Sequence, residues 1–236
     1  MKIVQNTKIT IKKAALIWGA LLGSNIANAH NIWIEPTTHN AEYVVKFGHT
    51  KTEGYPEHKL KEVKLLDSSG DSRPAQVTFK QSEAYFSAPN ATMVLMKFDN
   101  GVWSKLPNGK YVQKTKKEVP NAEISLNAFK IGKAILVWNA QALVPQHTDY
   151  ELVPQAVAKA GEPLSILVLK AGQPLAGVKV GLGEDEPFNL SNEQGIALFT
   201  PTKGLNKVWA EFSEKTVNNP DYDERSIEYM LTFDAK

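Results

Sequence analysis

The sequence predicts an all-β protein made of two mostly antiparallel β-sandwich modules. Short runs of apolar or alternating residues recur along the chain, and turn-forming clusters such as SSGD, PNGK, AGQP, NEQG and NNPD separate them. Short strands with this punctuation are typical of sandwiches and barrels, and the apolar spacing of amphipathic helices is rare here. In chain order, the runs that we expect to form strands are residues 42–48, 62–66, 76–79, 92–98, 134–138, 164–169, 177–182, 196–200, 207–212 and 227–233.

The composition changes near residue 150, where we place a domain boundary. The connector HTDYELVPQAVAKAGEPL is rich in polar residues and proline, and separates an N-terminal β domain (30–150) from a C-terminal sandwich (151–236). The element GIALF at residues 195–199 resembles the D/N-x-x-G-x-A-x-F signature of Cna-B or transthyretin-like modules. This resemblance implies an Ig-like sandwich fold, and a fold by itself does not carry a function.

The first 29 residues have the three-part pattern of a secretory signal peptide. An apolar run at 14–22 follows a positive segment, and the small-x-small sequence Ala27–Ala29 marks a cleavage site. The positive segment contains Lys2, Lys8, Lys12 and Lys13. Because the apolar run is too short to span a bilayer, we expect a periplasmic mature protein that does not span the membrane. Cleavage after Ala29 makes His30 its first residue.

Charge and cysteine content exclude several classes of protein. The chain has 27 basic and 25 acidic residues, and loss of the four signal lysines leaves 23 against 25. With this balance and no basic stripe among aromatic residues, we expect no nucleic-acid partner. The chain has no cysteine, which excludes both disulfides and thiolate metal sites.

A histidine at the mature N-terminus carries two nitrogen donors, its α-amine and its ring Nδ1, which close one chelate ring on a metal ion. The amine has a pKa of about 7.7–8.0 in model peptides, so a metal displaces its proton near neutral pH. One further imidazole completes a three-nitrogen set that favours Cu²⁺ or Ni²⁺. His49 is the expected second ligand of His30, because Gly48 lets the backbone turn at the end of the 42–48 run.

Two more histidines are candidates to complete the metal site. His58 lies in the loop TKTEGYPEHK, an expected mobile ligand arm, and His147 lies in the connector between the two modules. His58 also fits as an ordinary surface histidine, and His30 fits as a chance neighbour of the cleavage site. On the residues alone, the metal-binding and the structural interpretations both stay open.

Three segments in order resemble the NikM-like periplasmic family. They are AHNIWIEP at residues 29–36, FGH at 47–49 and AGQPLAGVKV at 171–180. The resemblance implies that His30 and His49 bind Ni²⁺ or Co²⁺, and that Trp33 packs beside the site and limits water; the nitrogen donors also suit Cu²⁺. It also implies a membrane nickel or cobalt transporter component of ABC type as the partner. His147 matches no motif of that family.

We expect a protein without enzymatic activity, because the G-x-S-x-G, P-loop and G-x-G-x-x-G motifs are absent from the sequence. Two alternatives stay open. The first is a β-sandwich interaction or structural protein that binds no metal. The second is a copper-dependent enzyme like the polysaccharide monooxygenases, which also begin with a histidine; Tyr43 and Tyr55 are the candidate phenols near its copper.

Overall fold

The structure, a computed structural model, describes residues 30–49, 51–184 and 186–236 and is almost entirely β. The predicted all-β, mostly antiparallel class is confirmed. The predicted signal segment, residues 1–29, lies outside the described residues. The helices of the described ranges are two short 3₁₀ turns, Glu57–Lys59 and Ala140–Leu143, and neither has the length and apolar character to cross a bilayer.

The strands of the described residues form three sheets. The first sheet contains β1 (Asn31–Pro36), β2 (Glu42–Gly48), β3 (Thr52–Glu53), β6 (Val77–Lys80) and β7 (Glu83–Ser87). The central sheet contains β4 (Leu60–Leu66), β5 (Ser72–Pro74), β8 (Met93–Lys105), β9 (Tyr111–Val112), β10 (Ile124–Ile135), β14 (Lys179–Gly181), β15 (Phe188–Leu190), β17 (Gly204–Lys215) and β18 (Glu224–Ala235). The third sheet contains β11 (Tyr150–Pro154), β12 (Leu164–Lys170), β13 (Gln173–Pro174) and β16 (Ile196–Phe199).

The central sheet is the middle of three layers. Side chains alternate between the two faces of a strand, and β8 shows both faces buried. Val94 and Met96 pack with the first sheet, in a core that includes Ile32. Met93 and Leu95 pack on the other face, in a core that includes Ile166 of the third sheet. The two larger hydrophobic cores of the described residues therefore share one sheet.

The central sheet joins the two halves of the chain. Its strand order is β15-β14-β17-β18-β10-β8-β4-β5, and β10 pairs with β18 in parallel, from Leu126 opposite Glu224 to Ile135 opposite Phe233. The predicted C-terminal sandwich, residues 151–236, therefore shares a sheet with the predicted N-terminal domain. The chain does enter a new sheet at Tyr150, but β17 and β18 return to the central one. Alternation predicts which face of a strand is buried and does not predict which strand it pairs with.

The sequence analysis missed several short strands and shortened the long ones. The run expected at 134–138 overlaps only the last two residues of β10, which spans Ile124–Ile135, and β1 was not among the expected strands. Lys130 and Lys133 interrupt the apolar pattern of β10, yet both are buried. The reason is that other sheets cover both faces of β10, so the polar positions of its pattern do not mark a solvent-exposed face.

Candidate functional site

The pairing of β1 with β2 brings His30 and His49 to the same edge of the first sheet. The antiparallel ladder places Asn31 opposite Gly48. His30 and His49 each lie one residue beyond this last pair, on facing ends of the two strands. Extended by one residue, this register sets His30 opposite His49 and brings the two histidines of the predicted site to the same end of the strand pair.

The ring of His30 is held by an aromatic residue and a carboxylate. It stacks on Phe47, with 5.1 Å between ring centroids and 29° between planes, and Nε2 lies 3.0 Å from Oε1 of Glu53. β3 folds back on β2 and places Glu53 opposite Phe47. When Nε2–H donates to this carboxylate, the lone pair of the neutral ring is on Nδ1, the atom that closes a chelate with the α-amine.

His49 occupies the tip of a tight turn between β2 and β3. Gly48 has φ of +149°, and a Cβ at this position would lie 2.1 Å from the carbonyl oxygen of Lys51. The backbone N–H of His49 donates to the same oxygen, 3.2 Å away. This close approach requires glycine at position 48. The imidazole of His49 is exposed to solvent, where an ion can reach it.

The loop after His49 is anchored, which differs from the expected mobile ligand arm. The hydroxyl of Tyr55 donates to the carbonyl oxygen of Val45 at 3.0 Å and accepts from the N–H of Ala84 at 3.1 Å. Its ring is buried in the core with Phe47, and burial raises the pKa of Tyr55 above its usual value. The anchored hydroxyl is already engaged by the backbone, so Tyr55 is poorly placed to act as a phenol beside a metal.

His58 and His147, the two candidates for completing the site, are both exposed. Within the described ranges, His58 forms no hydrogen bond or ion pair with His30 or His49. His147 has φ of +57° and lines a groove with Lys64 and Leu66. Leu66 packs in the core toward the third sheet, so His147 and His30 lie on opposite sides of the central sheet. The structure therefore does not bring His147 to the predicted metal site.

Trp33 is buried but does not cover the predicted site. It alternates with Ile32, which packs in the first core, and forms a separate cluster with Trp209 and Met230. Its Nε1–H donates to Oε1 of Glu35 at 2.7 Å, and Nζ of Lys207 lies 3.6 Å from the ring centroid. Because His30 shares a face of β1 with Ile32 and not with Trp33, this tryptophan secures β1 against the central sheet.

The donors at this edge do not form a metal site from side chains alone. Within the part of the chain that the structure describes, no three His, Asp or Glu residues are grouped so as to hold a metal ion. The predicted three-nitrogen set differs from such a group, because one donor is the main-chain amine of His30. Sequence reasoning missed the pairing of Glu53 with His30. The signal was the GHTKTE turn, which places Glu53 opposite Phe47.

Comparison with known proteins identifies a family without an assigned function. Residues 27–212 match the domain of unknown function DUF4198. The chain is also similar to an uncharacterised protein of Haemophilus influenzae (strain ATCC 51907 / DSM 11121 / KW20 / Rd). The two are 58% identical over 226 residues, which cover 96% of this chain and 99% of that protein. No solved structure matches the chain. By the extent of the domain match, the chain belongs to the DUF4198 family.

Proposed function

We propose that this protein is a periplasmic metal-binding accessory protein that binds Ni²⁺ and delivers it to a membrane nickel or cobalt transporter component. Co²⁺ and Cu²⁺ are the alternative ions. The observation that carries the proposal is the register of β1 and β2, which places His30 and His49 on facing strand ends. The resemblance to the NikM-like family supports the choice of nickel and of a transporter as the partner.

The proposed site uses three nitrogen donors and one supporting carboxylate. The α-amine and Nδ1 of His30 chelate the ion, and His49 contributes the second imidazole. Glu53 orients the His30 ring from its Nε2 side, 3.0 Å away, and Phe47 supports the ring face. Carboxylates that hydrogen-bond the outer nitrogen of a ligating histidine commonly strengthen metal binding in this way. Amine and imidazole donors suit Ni²⁺, and Cu²⁺ binds such donors more tightly.

The decisive experiment compares two forms of the protein that differ at the N-terminus. One form is processed to begin at His30, and the other carries a Gly-Ser extension before it. Both keep every side chain, but in the extended form the nitrogen of His30 is an amide, whose lone pair is not available near neutral pH. By calorimetric titration with Ni²⁺ and with Cu²⁺, we expect the extended form to bind at least about tenfold more weakly, roughly 1.4 kcal/mol.

The same titrations at lower pH give an internal control. Affinity of the processed form should fall as the pH drops, because the amine and both imidazoles must lose protons to bind the ion. Equal affinity of the two forms would show that the amine is not a ligand. If neither form takes up metal, the proposed function is wrong, and the alternative of a metal-free β-sandwich interaction protein gains support.

A further inference from the structure

The third sheet covers the central sheet incompletely. The strands β8, β10, β17 and β18 are 12 or 13 residues long, whereas β11 and β12 have five and seven residues. Beyond the end of the third sheet, the face of the central sheet is open and lines a cavity of about 260 Å³. This cavity lies on the opposite face of the central sheet from His30, so it is separate from the proposed metal site.

The floor of the cavity is apolar. Phe129 and Ile131 on β10 lie opposite Ile227 and Tyr229 on β18, and all four line the cavity. Ile227 and Tyr229 are buried, while Phe129 and Ile131 are partly exposed. An apolar surface left open inside a cleft is the usual feature of a site for a small organic molecule.

Two of the three acidic residues that line the cavity have charged or hydrogen-bonding partners. Oxygen atoms of Glu62 lie 3.2 Å from Nζ of Lys64 and 3.6 Å from Nζ of Lys97. Glu214 lies 3.4 Å from Nζ of Lys170 and accepts a hydrogen bond from the hydroxyl of Tyr150. That hydrogen bond is the main reason why the pKa of Glu214 lies below its usual value. The third, Asp149, is exposed, and the four cations of the lining outnumber the three carboxylates, which favours an anionic ligand over a cationic one.

The hydrogen-bond partners of Arg225 among the described residues are neutral, and its charge also helps to lower the pKa of Glu214. Its Nε donates to Oδ1 of Asn127 at 2.9 Å, and Nη2 donates to the hydroxyl of Tyr222 at 3.3 Å. Its guanidinium lies 5.5 Å from the ring centroid of Phe129, and among the described residues it forms no ion pair with a carboxylate. An arginine has five N–H donors in a planar fork that matches a carboxylate. The guanidinium therefore adjoins the apolar floor with donor capacity remaining.

We propose that this cleft binds a small organic carboxylate with an apolar body. The carboxylate would pair with Arg225 and the body would lie on Phe129, Ile131 and Ile227. The volume is slightly below the range of about 300–1,000 Å³ usual for drug-sized ligands, which favours a molecule of modest size. An adjoining groove of about 590 Å³ shares Lys64 and Lys97 with the cavity.

Calorimetric titration with 3-phenylpropionate tests the proposal, with 3-phenylpropan-1-ol as the uncharged probe of the same shape. We expect saturable binding of one 3-phenylpropionate per chain, and binding of the alcohol at least about tenfold weaker. Arg225→Leu should weaken 3-phenylpropionate at least about tenfold. Arg73→Leu is the matched control, because Arg73 is exposed and donates to the carbonyl oxygen of Pro89 away from the cleft. It should change the affinity less than twofold.

A second variant and a stability measurement distinguish loss of the binding site from loss of folding. Arg225 also supports Asn127, so thermal unfolding is measured for each protein, and Ile131→Trp fills the cavity while it keeps the guanidinium. This variant should abolish the binding of 3-phenylpropionate. The proposal is overturned by the absence of saturable binding to the unmodified protein, by equal affinity for the alcohol, or by unchanged affinity in Ile131→Trp.

Discussion

The two faces of the central sheet each bury one lysine from the same strand, and the two lysines are held very differently. Lys130 and Lys133 are both fully buried on β10. Neighbouring Ala134 packs in the core toward the first sheet and Ile135 in the core toward the third. By alternation along the strand, Lys130 faces the first sheet and Lys133 faces the third. Both side chains are excluded from solvent, so each charge must find its partner inside the protein.

On the face toward the first sheet, Lys130 and Glu228 depend on each other. They are opposite residues of the parallel pair β10–β18, and Nζ lies 2.7 Å from Oε1 of Glu228. The other oxygen of Glu228, Oε2, is buried and has no hydrogen-bond partner in the described part of the chain. Burial raises the pKa of Glu228 to about 7. This carboxylate therefore depends on Lys130 to remain ionised inside the protein.

On the face toward the third sheet, the nearby carboxylate does not depend on the lysine. Nζ of Lys133 is 3.4 Å from the carbonyl oxygen of Leu152, and burial lowers the pKa of Lys133 to about 8. The buried Glu151 accepts from the backbone N–H of Gln146 at 2.6 Å and of Thr148 at 2.8 Å. The contribution of a buried lysine to stability therefore depends on whether its carboxylate partner keeps other hydrogen bonds when the lysine is removed.

The largest expected effect comes from breaking the buried pair of Lys130 and Glu228. Lys130→Met leaves Glu228 buried without its cation, and loss of one member of a buried pair typically costs about 3–5 kcal/mol. We expect urea unfolding at pH 8 to show this loss. The loss should be smaller at pH 5, because Glu228 takes up a proton below its pKa of about 7. The double variant Lys130→Met with Glu228→Leu should regain most of the stability; equal losses in the single and double variants would contradict the argument.

Removal of the buried lysine on the other face should instead increase the stability of the protein. Lys133→Met removes a buried cation and leaves Glu151 with its two backbone donors, so we expect stability at pH 7 to rise by about 2–3 kcal/mol. The pKa of Lys133 is about 8 when folded and 10.5 in its reference state, so between these values the unfolded chain binds more protons. Stability of the unmodified protein should therefore rise with pH over this window. Chemical unfolding at pH 7.5 and 9.5 should show that rise, and Lys133→Met should lack it.

Sequence reasoning predicted what depends on local pattern. The strand at residues 42–48, the all-β class and the glycine-assisted turn at Gly48 all follow from short-range features, alternation and turn chemistry. The pairing of β10 with β18 does not, because it joins residues almost a hundred positions apart. The alternation of apolar residues along a strand is the same whichever strand it pairs with, so the pattern does not identify the partner.

The same limit explains what was missed at the predicted site. His30 and His49 were predicted as partners, and the strand register supports their proximity. The contact of Glu53 with His30 depends on the short return strand β3, which the sequence analysis did not predict. The separation of His147 from His30 depends on the layer order of three sheets. Lys130 and Lys133 looked like polar positions of a strand, and their burial follows from layers on both faces.

A third prediction compares the effects on Ni²⁺ binding of replacing His49 and His147, which lie on opposite sides of the central sheet. In the proposed site His49 is a ligand at the edge of the first sheet, whereas His147 lies beyond the central sheet. His49→Ala should weaken Ni²⁺ binding by the processed protein about 30-fold, roughly 2 kcal/mol. His147→Ala should leave it within about twofold. Stability of the metal-free protein should change little in either variant, because both side chains are exposed.

Thermal unfolding with and without Ni²⁺ gives an independent readout for His49. A ligand that binds the folded state raises its stability by mass action, so the increase produced by Ni²⁺ should be smaller in His49→Ala than in the unmodified protein. If His49→Ala lost stability without metal and kept its affinity, His49 would be a structural turn residue. An equal loss of affinity in His147→Ala would contradict the separation of the two faces.

The smallest expected effect concerns the carboxylate behind His30. Glu53 is more than half exposed, so it contributes little to folding, and its part in the proposed site is to orient the ring through Nε2, 3.0 Å away. Removal of such an outer partner commonly weakens metal binding by 10- to 100-fold. Because Glu53 is exposed, we expect an effect at the lower end of this range. Calorimetry should show about tenfold weaker Ni²⁺ binding in Glu53→Ala, whereas Glu57→Ala, on the exposed 3₁₀ turn, should match the unmodified protein. If both variants weakened binding equally, Glu53 would act through general negative charge near the cation, and raising the salt concentration would then remove the difference from the unmodified protein.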